Sequence, residues 1–327
     1  MPVSSTHGSP QVLRIGTRDS KLALIQTHLV VELIQAAHPG LVIEVETMKT
    51  IGDKIQDFGD KGLFTKELET ALEAKAINMI VHSLKDMPTH LPPNMKILAI
   101  TEREDPRDAV IMHKSNQGQL LEDLPEGSVI GTGSVRRVAQ LRRLYPHLRF
   151  ADIRGNLTTR MAKLDAADSP FAALVLAVAG MRRQGMGARI SQSLDAVLYA
   201  VGQGALGIEV LENDTDTQAL LHGCLDHRAT RLACLAEREL MRRLEGGCSV
   251  PIGVTTAWCA ADELRLCAVV EVRLQAQAAV ASDADAERLG ARLAQDMCAA
   301  GASRILAAIH HPPPPSAEVV AQAAVRK

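Results

Sequence analysis

The chain has 327 residues, with 36 Lys plus Arg against 38 Asp plus Glu and a formal net charge of -2, which gives bulk charge no part in nucleic-acid or membrane-surface binding. Hydrophobic residues at 46% and charged residues at 23% describe a folded globular protein long enough for two or three domains. Aromatics are only 2%, so aliphatic and alanine packing must fill the cores.

From the N-terminus, strands and helices alternate. Residues 12–16 read as a strand, and Ser20 can cap a helix in which Leu22, Ile25, Leu29 and Leu33 recur at helical spacing until His38-Pro39-Gly40 stops it. Residues 42–48 form a second strand, Thr65 opens a helix running to Lys75, and residues 79–82 form a third strand, followed by short ones at 97–100 and 109–112. A second block repeats the pattern: a strand at 129–131, a helix capped by Ser134 and reaching about Tyr145, a strand at 149–153, a helix marked by Leu157, Met161 and Leu164, and a buried strand at 172–177. The turn Gly202-Gln203-Gly204-Ala205-Leu206-Gly207 leads to a strand at 208–211. From about residue 226 the pattern changes to a long helix at 229–245, two strands at 252–258 and 264–272, a helix at 285–300 and a proline-rich extended tail from 312.

This order predicts an α/β fold of two α/β lobes plus a small α+β C-terminal domain. The expected bounds are 1–104 with 202–225 for the first lobe, 105–201 for the second and 226–327 for the third unit. Two lobes with a cleft between them form a natural ligand site. The polar first ten residues lack the apolar core of a signal segment, and the longest strongly apolar run, at 172–181, is too short to span a bilayer. The expected location is therefore cytoplasmic. Six cysteines show no C-x-x-C pair and no zinc-ligand spacing, so no metal site is expected.

Four segments can carry chemistry. Between Gly131 and Arg160 lie seven arginines and a single acid, Asp152. Arginine presents a fork of donors that fits carboxylate or phosphate oxygens in pairs. Arg136 and Arg137 fall in the first turn of a helix, where the free N–H groups also favour anions. Arg142 and Arg143 read as a solvated helix face, whereas Arg136, Arg137, Arg154 and Arg160 sit at strand-to-helix turns and read as binding groups. His82-Ser83-Leu84-Lys85-Asp86 follows a buried strand, where a lone carboxylate could stabilise a developing cation or move protons; taken alone the segment reads better as an ordinary polar turn. Gly16-Thr17-Arg18-Asp19-Ser20 offers another clamp, or a surface cap. Gly246-Gly247-Cys248-Ser249-Val250-Pro251 places a cysteine on a glycine-bounded loop, either as an attachment point or as a buried thiol in a helix cap.

Taken together the segments resemble the porphobilinogen deaminase (hydroxymethylbilane synthase) family. The matching stretches are Gly16-Thr17-Arg18 with Ser20, Lys61-Gly62-Leu63-Phe64-Thr65-Lys66-Glu67, Val81 to Asp86, Gly131-Thr132 with Ser134 and Arg136-Arg137, Ile153-Arg154-Gly155-Asn156 with Thr159-Arg160, Val201 to Ala205, and Glu245 to Pro251. The resemblance implies periplasmic-binding-protein-like lobes and a transferase that condenses four porphobilinogens head to tail into linear hydroxymethylbilane, releasing ammonia. It implies a dipyrromethane cofactor attached covalently to Cys248 as a retained primer, porphobilinogen as a small-molecule substrate, and a monomer.

Carried over residue by residue, it makes Asp86 and Lys85 catalytic. Lys85, Asp86, Thr132, Ser134, Arg136, Arg137, Arg160 and Gln203 would hold the cofactor, and Arg18, Ser20, Phe64, Arg154 and Arg183 would bind substrate. A bound hexapyrrole would carry about twelve negative charges, which accounts for the density of cations. Two departures stand out: residues 52–61, the lid region, are several residues shorter than in relatives, and Gly133 stands where serine is common. The competing class is a two-lobed protein that captures a dicarboxylate without reacting it.

Overall fold

A computed structural model describes residues 12–48, 65–244, 250–270 and 272–310. Phe64, the 52–61 stretch, Cys248 with the 245–249 loop, and the proline run at 312–315 lie outside the described residues.

The chain begins with β1 (Val12–Arg18), α1 (Lys21–Ala37), β2 (Val42–Met48), α2 (Lys66–Glu73), β3 (Met79–Ser83) and β4 (Met95–Ile100). It continues through β5 (Asp108–Met112), β6 (Val129–Gly131), α3 (Val135–Leu144), β7 (Arg149–Ala151), α4 (Leu157–Asp165), β8 (Ala173–Ala177), α5 (Val178–Arg183) and β9 (Gln192–Leu194). Then come β10 (Leu206–Leu211), α6 (Thr215–Leu221), α7 (Arg228–Arg243), β11 (Gly253–Ala260), β12 (Glu263–Val270), β13 (Val272–Ala279), α8 (Asp283–Ala299) and α9 (Ala302–His310).

Two five-stranded sheets share one plan. The first has the order β2-β1-β3-β10-β4, with β1, β2 and β3 parallel and β10 antiparallel to both its neighbours. The second has the order β7-β6-β8-β5-β9, with β6, β7 and β8 parallel and β5 antiparallel to both its neighbours. In each, the antiparallel strand follows a crossover from the other sheet: residues 101–107 lead into β5, and 195–205 lead into β10. The two-lobed α/β expectation therefore holds. The third unit is an antiparallel sheet, β11-β12-β13, covered by helices, as expected for a small α+β domain.

Strand alternation sorts each core. In the first sheet Met79 and Val81 face Val30 and Ile34 of α1, while Ile80 between them faces Leu68 and Leu72 of α2. In the second, Val110 and Val175 pack with Leu141 of α3, and Ile111 and Leu174 pack with Met161 and Leu164 of α4. In the third unit α7 and α8 touch so closely that a Cβ at Gly290 would stand 2.2 Å from the Ala236 carbonyl oxygen. Only glycine permits that approach.

Several sequence expectations need correction. On α1 the buried stripe is Gln26, Thr27, Val30 and Ile34, whereas Leu29 and Leu33 are 39% and 45% exposed. The helix has two apolar stripes, and the sheet takes the one containing the β-branched residues. Ser134 stands at the N-cap of α3, but its side chain makes no capping bond. The third unit has three strands where two were expected. β13 pairs with β12 along its whole length, through a tight reversal at Val270 and Val272. Its Ala and Gln content gives little β signal. The short α5, α6, β9 and α9 were also unread.

The crossovers are fastened together. Gly204 has φ 91°, and a Cβ there would meet the Glu104 carbonyl oxygen at 2.3 Å. Arg103 on the first crossover donates to the Gln203 carbonyl at 2.7 Å and, in bidentate fashion, to Glu237 of α7 at 2.6 and 3.0 Å. Glu237, fully buried, also accepts from the Gly202 N–H at 2.8 Å and the Thr256 hydroxyl at 2.9 Å. One carboxylate thus ties both crossovers to the third unit.

Candidate active site

The site is assembled where β3 ends. His82 Nε2 lies 2.8 Å from Glu209 Oε2 on β10, and Ser83 Oγ donates to Gln26 Oε1 of α1 at 3.0 Å. The Leu84 N–H donates to the Ala205 carbonyl at 3.0 Å, and Leu84 is buried. These contacts fix the strand end, so the following 3-10 turn, Leu84–Asp86, presents Lys85 and Asp86 from a rigid base. Arg238 of α7 braces the far side, donating to the Pro88 carbonyl at 2.7 Å; burial lowers its guanidinium to about 10. Neither the Lys85 nor the Asp86 side chain makes a hydrogen bond among the described residues.

Burial pushes the Lys85 ammonium below the ordinary lysine value. Asp86 and Asp108 pull it back up, while Arg137 and Arg136 push it further down. The same interactions show that the β3 turn and the start of α3 lie within electrostatic reach. Beside Asp86 is a recess of about 80 Å³ lined by Arg18, Ser20, Gln26, Thr65, His82 and Ser83. Ser20 caps α1, accepting the Ala23 N–H at 3.3 Å, as its sequence position predicted.

Arg136 and Arg137 of α3 are not displayed on a surface, whereas Arg142 and Arg143 are exposed, as expected for a solvated helix face. Arg136 and Arg137 are both buried and converge on Asp108, which is 0% exposed. Arg136 Nη1 donates to Asp108 Oδ2 at 2.7 Å and to the Leu198 carbonyl at 2.6 Å. Arg137 Nη2 donates to Asp108 Oδ1 at 2.8 Å, and its Nη1 donates to the Val175 carbonyl at 2.8 Å. Although burial opposes ionisation of Asp108, the two guanidiniums outweigh it and hold the carboxyl far below the usual range. Gln203 is buried as well, and its amide donates to Pro106 at 2.6 Å and to Asp108 at 2.9 Å. Thr132 Oγ1 accepts the Ser134 N–H at 3.4 Å at the head of α3.

Around this core stand more accessible cations. Arg160 donates Nε–H to the Gly155 carbonyl at 2.7 Å; burial lowers its guanidinium, and Arg137 and Arg154 lower it further. Arg154, 56% exposed, pairs with Asp152. Arg183 donates to the Gly204 carbonyl at 2.7 Å and is lowered by burial. A larger groove of about 900 Å³ lies between β13 and α8, but its arginines are already engaged: Arg243 by Glu239, Arg288 by Asp285 and Arg292 by the Gln277 carbonyl.

Sequence reasoning missed Asp108, Glu237 and the His82–Glu209 pair. A signal for Asp108 existed: the charged run Arg103-Glu104-Asp105-Pro106-Arg107-Asp108 runs directly into the apolar strand β5, so its last acid must enter the interior. No comparable local signal marks Glu237, which sits on a helix rich in charges.

Residues 13–219 match the family model for the porphobilinogen deaminase dipyromethane cofactor binding domain, and residues 231–299 match that for the porphobilinogen deaminase C-terminal domain. A porphobilinogen deaminase from Gloeobacter violaceus is 53% identical over 304 residues, covering 89% of this chain and 92% of that protein. One from a Nostoc species is 48% identical over 307 residues, covering 90% and 94%. Among solved structures, the periplasmic aliphatic sulphonate binding protein SsuA from Escherichia coli gives a TM-score of 0.39 at 13% identity, covering 72% of this chain and 76% of that one. With two family models spanning most of its length and relatives about half identical over nine-tenths of theirs, the chain belongs to the porphobilinogen deaminase family.

Proposed function

We propose that the chain is a transferase of tetrapyrrole biosynthesis that condenses four porphobilinogens head to tail into linear hydroxymethylbilane, releasing ammonia at each addition. The observation that carries this reading is the opposition of the Lys85–Asp86 turn, whose side chains have no hydrogen-bond partner among the described residues, to the Arg136–Arg137 pair within electrostatic reach of it. A pyrrole with two carboxylate arms and one N–H needs cations and a single acceptor, and that is the composition of the site.

The residues present also fit a dipyrromethane cofactor. Its carboxylates would be held by Lys85, Arg136, Arg137 and Arg160, with the Thr132 and Ser134 hydroxyls at the head of α3. The buried Nε of Arg137 has no hydrogen-bond partner among the described residues, so that network retains an unspent donor. Gln203 acts on the site through Asp108, since its amide donors are spent there and on the crossover. When bound, the cofactor supplies the nucleophilic pyrrole carbon from which the product chain grows. We assign its covalent attachment to Cys248, the only cysteine on the Gly246-Gly247 loop.

Asp86 accepts the substrate's pyrrole N–H and stabilises the cation left when the amine departs. Lys85 holds a substrate carboxylate, and Arg18 and Ser20 do the same from the recess beside Asp86. Arg154, Arg183 and Phe64 complete the substrate contacts. The domain bounds read from the sequence, a monomeric state and a cytoplasmic location belong to the same proposal. Among the described residues no helix is long and apolar enough to cross a membrane.

Intact-protein mass spectrometry tests the reading. Protein made in a porphobilinogen-producing host should carry the added mass of two linked pyrroles, and Cys248→Ala should lose it. An unmodified mass for the parent protein would reduce the chain to a dicarboxylate-binding protein.

A further inference from the structure

Asp108 receives four hydrogen bonds from side chains assigned to the site, yet it has no role of its own in the proposed reaction. Its carboxylate receives Arg136 Nη1 at 2.7 Å, Arg136 Nη2 at 3.3 Å, Arg137 Nη2 at 2.8 Å and Gln203 Nε2 at 2.9 Å. A carboxylate offers about four lone-pair sites, so none remains for a ligand or a proton. Asp108 can therefore act only through the groups it holds.

Those groups come from separate parts of the chain. Asp108 opens β5 just after one crossover, Gln203 lies on the other, and both arginines come from the first turn of α3. Carbonyls of Leu198 and Val175 hold the remaining corners of Arg136 and Arg137. Two adjacent buried guanidiniums repel each other. With one carboxylate between them the trio keeps a single net positive charge, and the arginines stay in place when no ligand is bound.

We infer that Asp108 is a positioning residue of the reaction: it fixes Arg136 and Arg137 side by side and sets the net charge they present to a carboxylate ligand. The inference rests on the proposed activity and deepens it, because the carboxylate arms of the pyrroles are the ligands these arginines serve. Asp108 also offsets the arginines at Lys85, where the charged groups in play are Asp86, Arg137, Asp108 and Arg136. Loss of its charge leaves Lys85 facing two arginines with only Asp86 in support.

Two variants of the full-length protein, Asp108→Asn and Asp108→Glu, separate geometry from charge. Asn removes the charge and turns an NH2 group toward a guanidinium; Glu keeps the charge but displaces it by a methylene. KM for porphobilinogen should follow geometry, rising at least about tenfold in Asn and less in Glu. The alkaline limb of turnover, where Lys85 loses its proton, should follow charge, moving to lower pH in Asn and staying in place in Glu. A folded Asn variant with the parent KM and the parent limb overturns the inference. Where the Asn variant does not fold, the Glu variant decides, and an unchanged KM there overturns it equally. The parent protein assayed alongside keeps the two claims apart, since a parent without turnover fails the proposed activity and not Asp108.

Discussion

On the β3 side of the cleft, the Lys85 and Asp86 side chains end a strand with no hydrogen-bond partner among the described residues, while on the α3 side Arg136 and Arg137 spend about half of their donors on Asp108 and two carbonyls. Both sides hold charge away from bulk water, but Lys85 is offset only through space, by Asp86 and Asp108, whereas the arginines are hydrogen-bonded to their counter-ion. The difference matches the roles proposed for the two sides. A group that meets charge developing during reaction must be free of competing partners. A group that holds carboxylates through several rounds of addition has to stay put whichever arm occupies it. With those proposed roles, the β3 side trades stability for reactivity, and the α3 side does the reverse.

The sharpest way to break this contrast is at Asp86. Asp86→Asn keeps size and shape but removes the charge proposed to stabilise the cation. Turnover should fall by about 10²–10⁴-fold, while the mass of the bound cofactor and the melting temperature stay close to those of the parent. Steady-state kinetics with intact mass on the same sample reads both, and turnover within a few-fold of the parent would move the catalytic role elsewhere.

A gain in stability, smaller than the kinetic effect at Asp86, is expected when Lys85 is replaced. Its folded-state ammonium is depressed by burial, so the protonated form is the one disfavoured by folding. That penalty is present at all pH values below the folded value and disappears as pH rises to the ordinary lysine range. Lys85→Met should remove it, stabilising the protein by about 1 kcal/mol at neutral pH while weakening substrate binding. Thermal melts at pH 7 and near pH 10 should show the gain shrinking at the higher pH; a destabilised Met variant would mean that the lysine is compensated after all.

The same contrast explains what could be read from the sequence. Strand alternation and the order of elements gave both lobes, because burial on a sheet leaves a period-2 imprint on neighbouring residues. The α3 arginines were visible as an excess of cations, and Ser20 as a helix cap. Their counter-ion was not: Asp108 is 28 residues from Arg136 and 95 from Gln203, and only the crossovers bring them together. For the same reason the sequence marks Gln203 as a site residue without showing that its amide donors fasten the crossover. On α1 two apolar stripes were available, and which one the sheet would take depended on tertiary packing that leaves Leu29 and Leu33 outside. β13 was lost because alanine and glutamine carry little strand preference even where Ala276 is buried.

Arg154 places the contrast at its smallest scale. It pairs with Asp152, but the two side chains are 56% and 51% exposed, so water screens the pair and holds its contribution below about 1 kcal/mol. A ligand carboxylate can replace Asp152 at little cost, which is impossible at Arg136, where the partner is buried and saturated. Arg154→Ala should therefore leave the melting temperature within a degree or two of the parent. Its KM for porphobilinogen should rise by about 3–10-fold, the loss of a single solvent-screened charge-assisted hydrogen bond. A fall in stability without a change in KM would make the arginine structural, and would place the outer edge of the cleft closer to residue 137 than to residue 154.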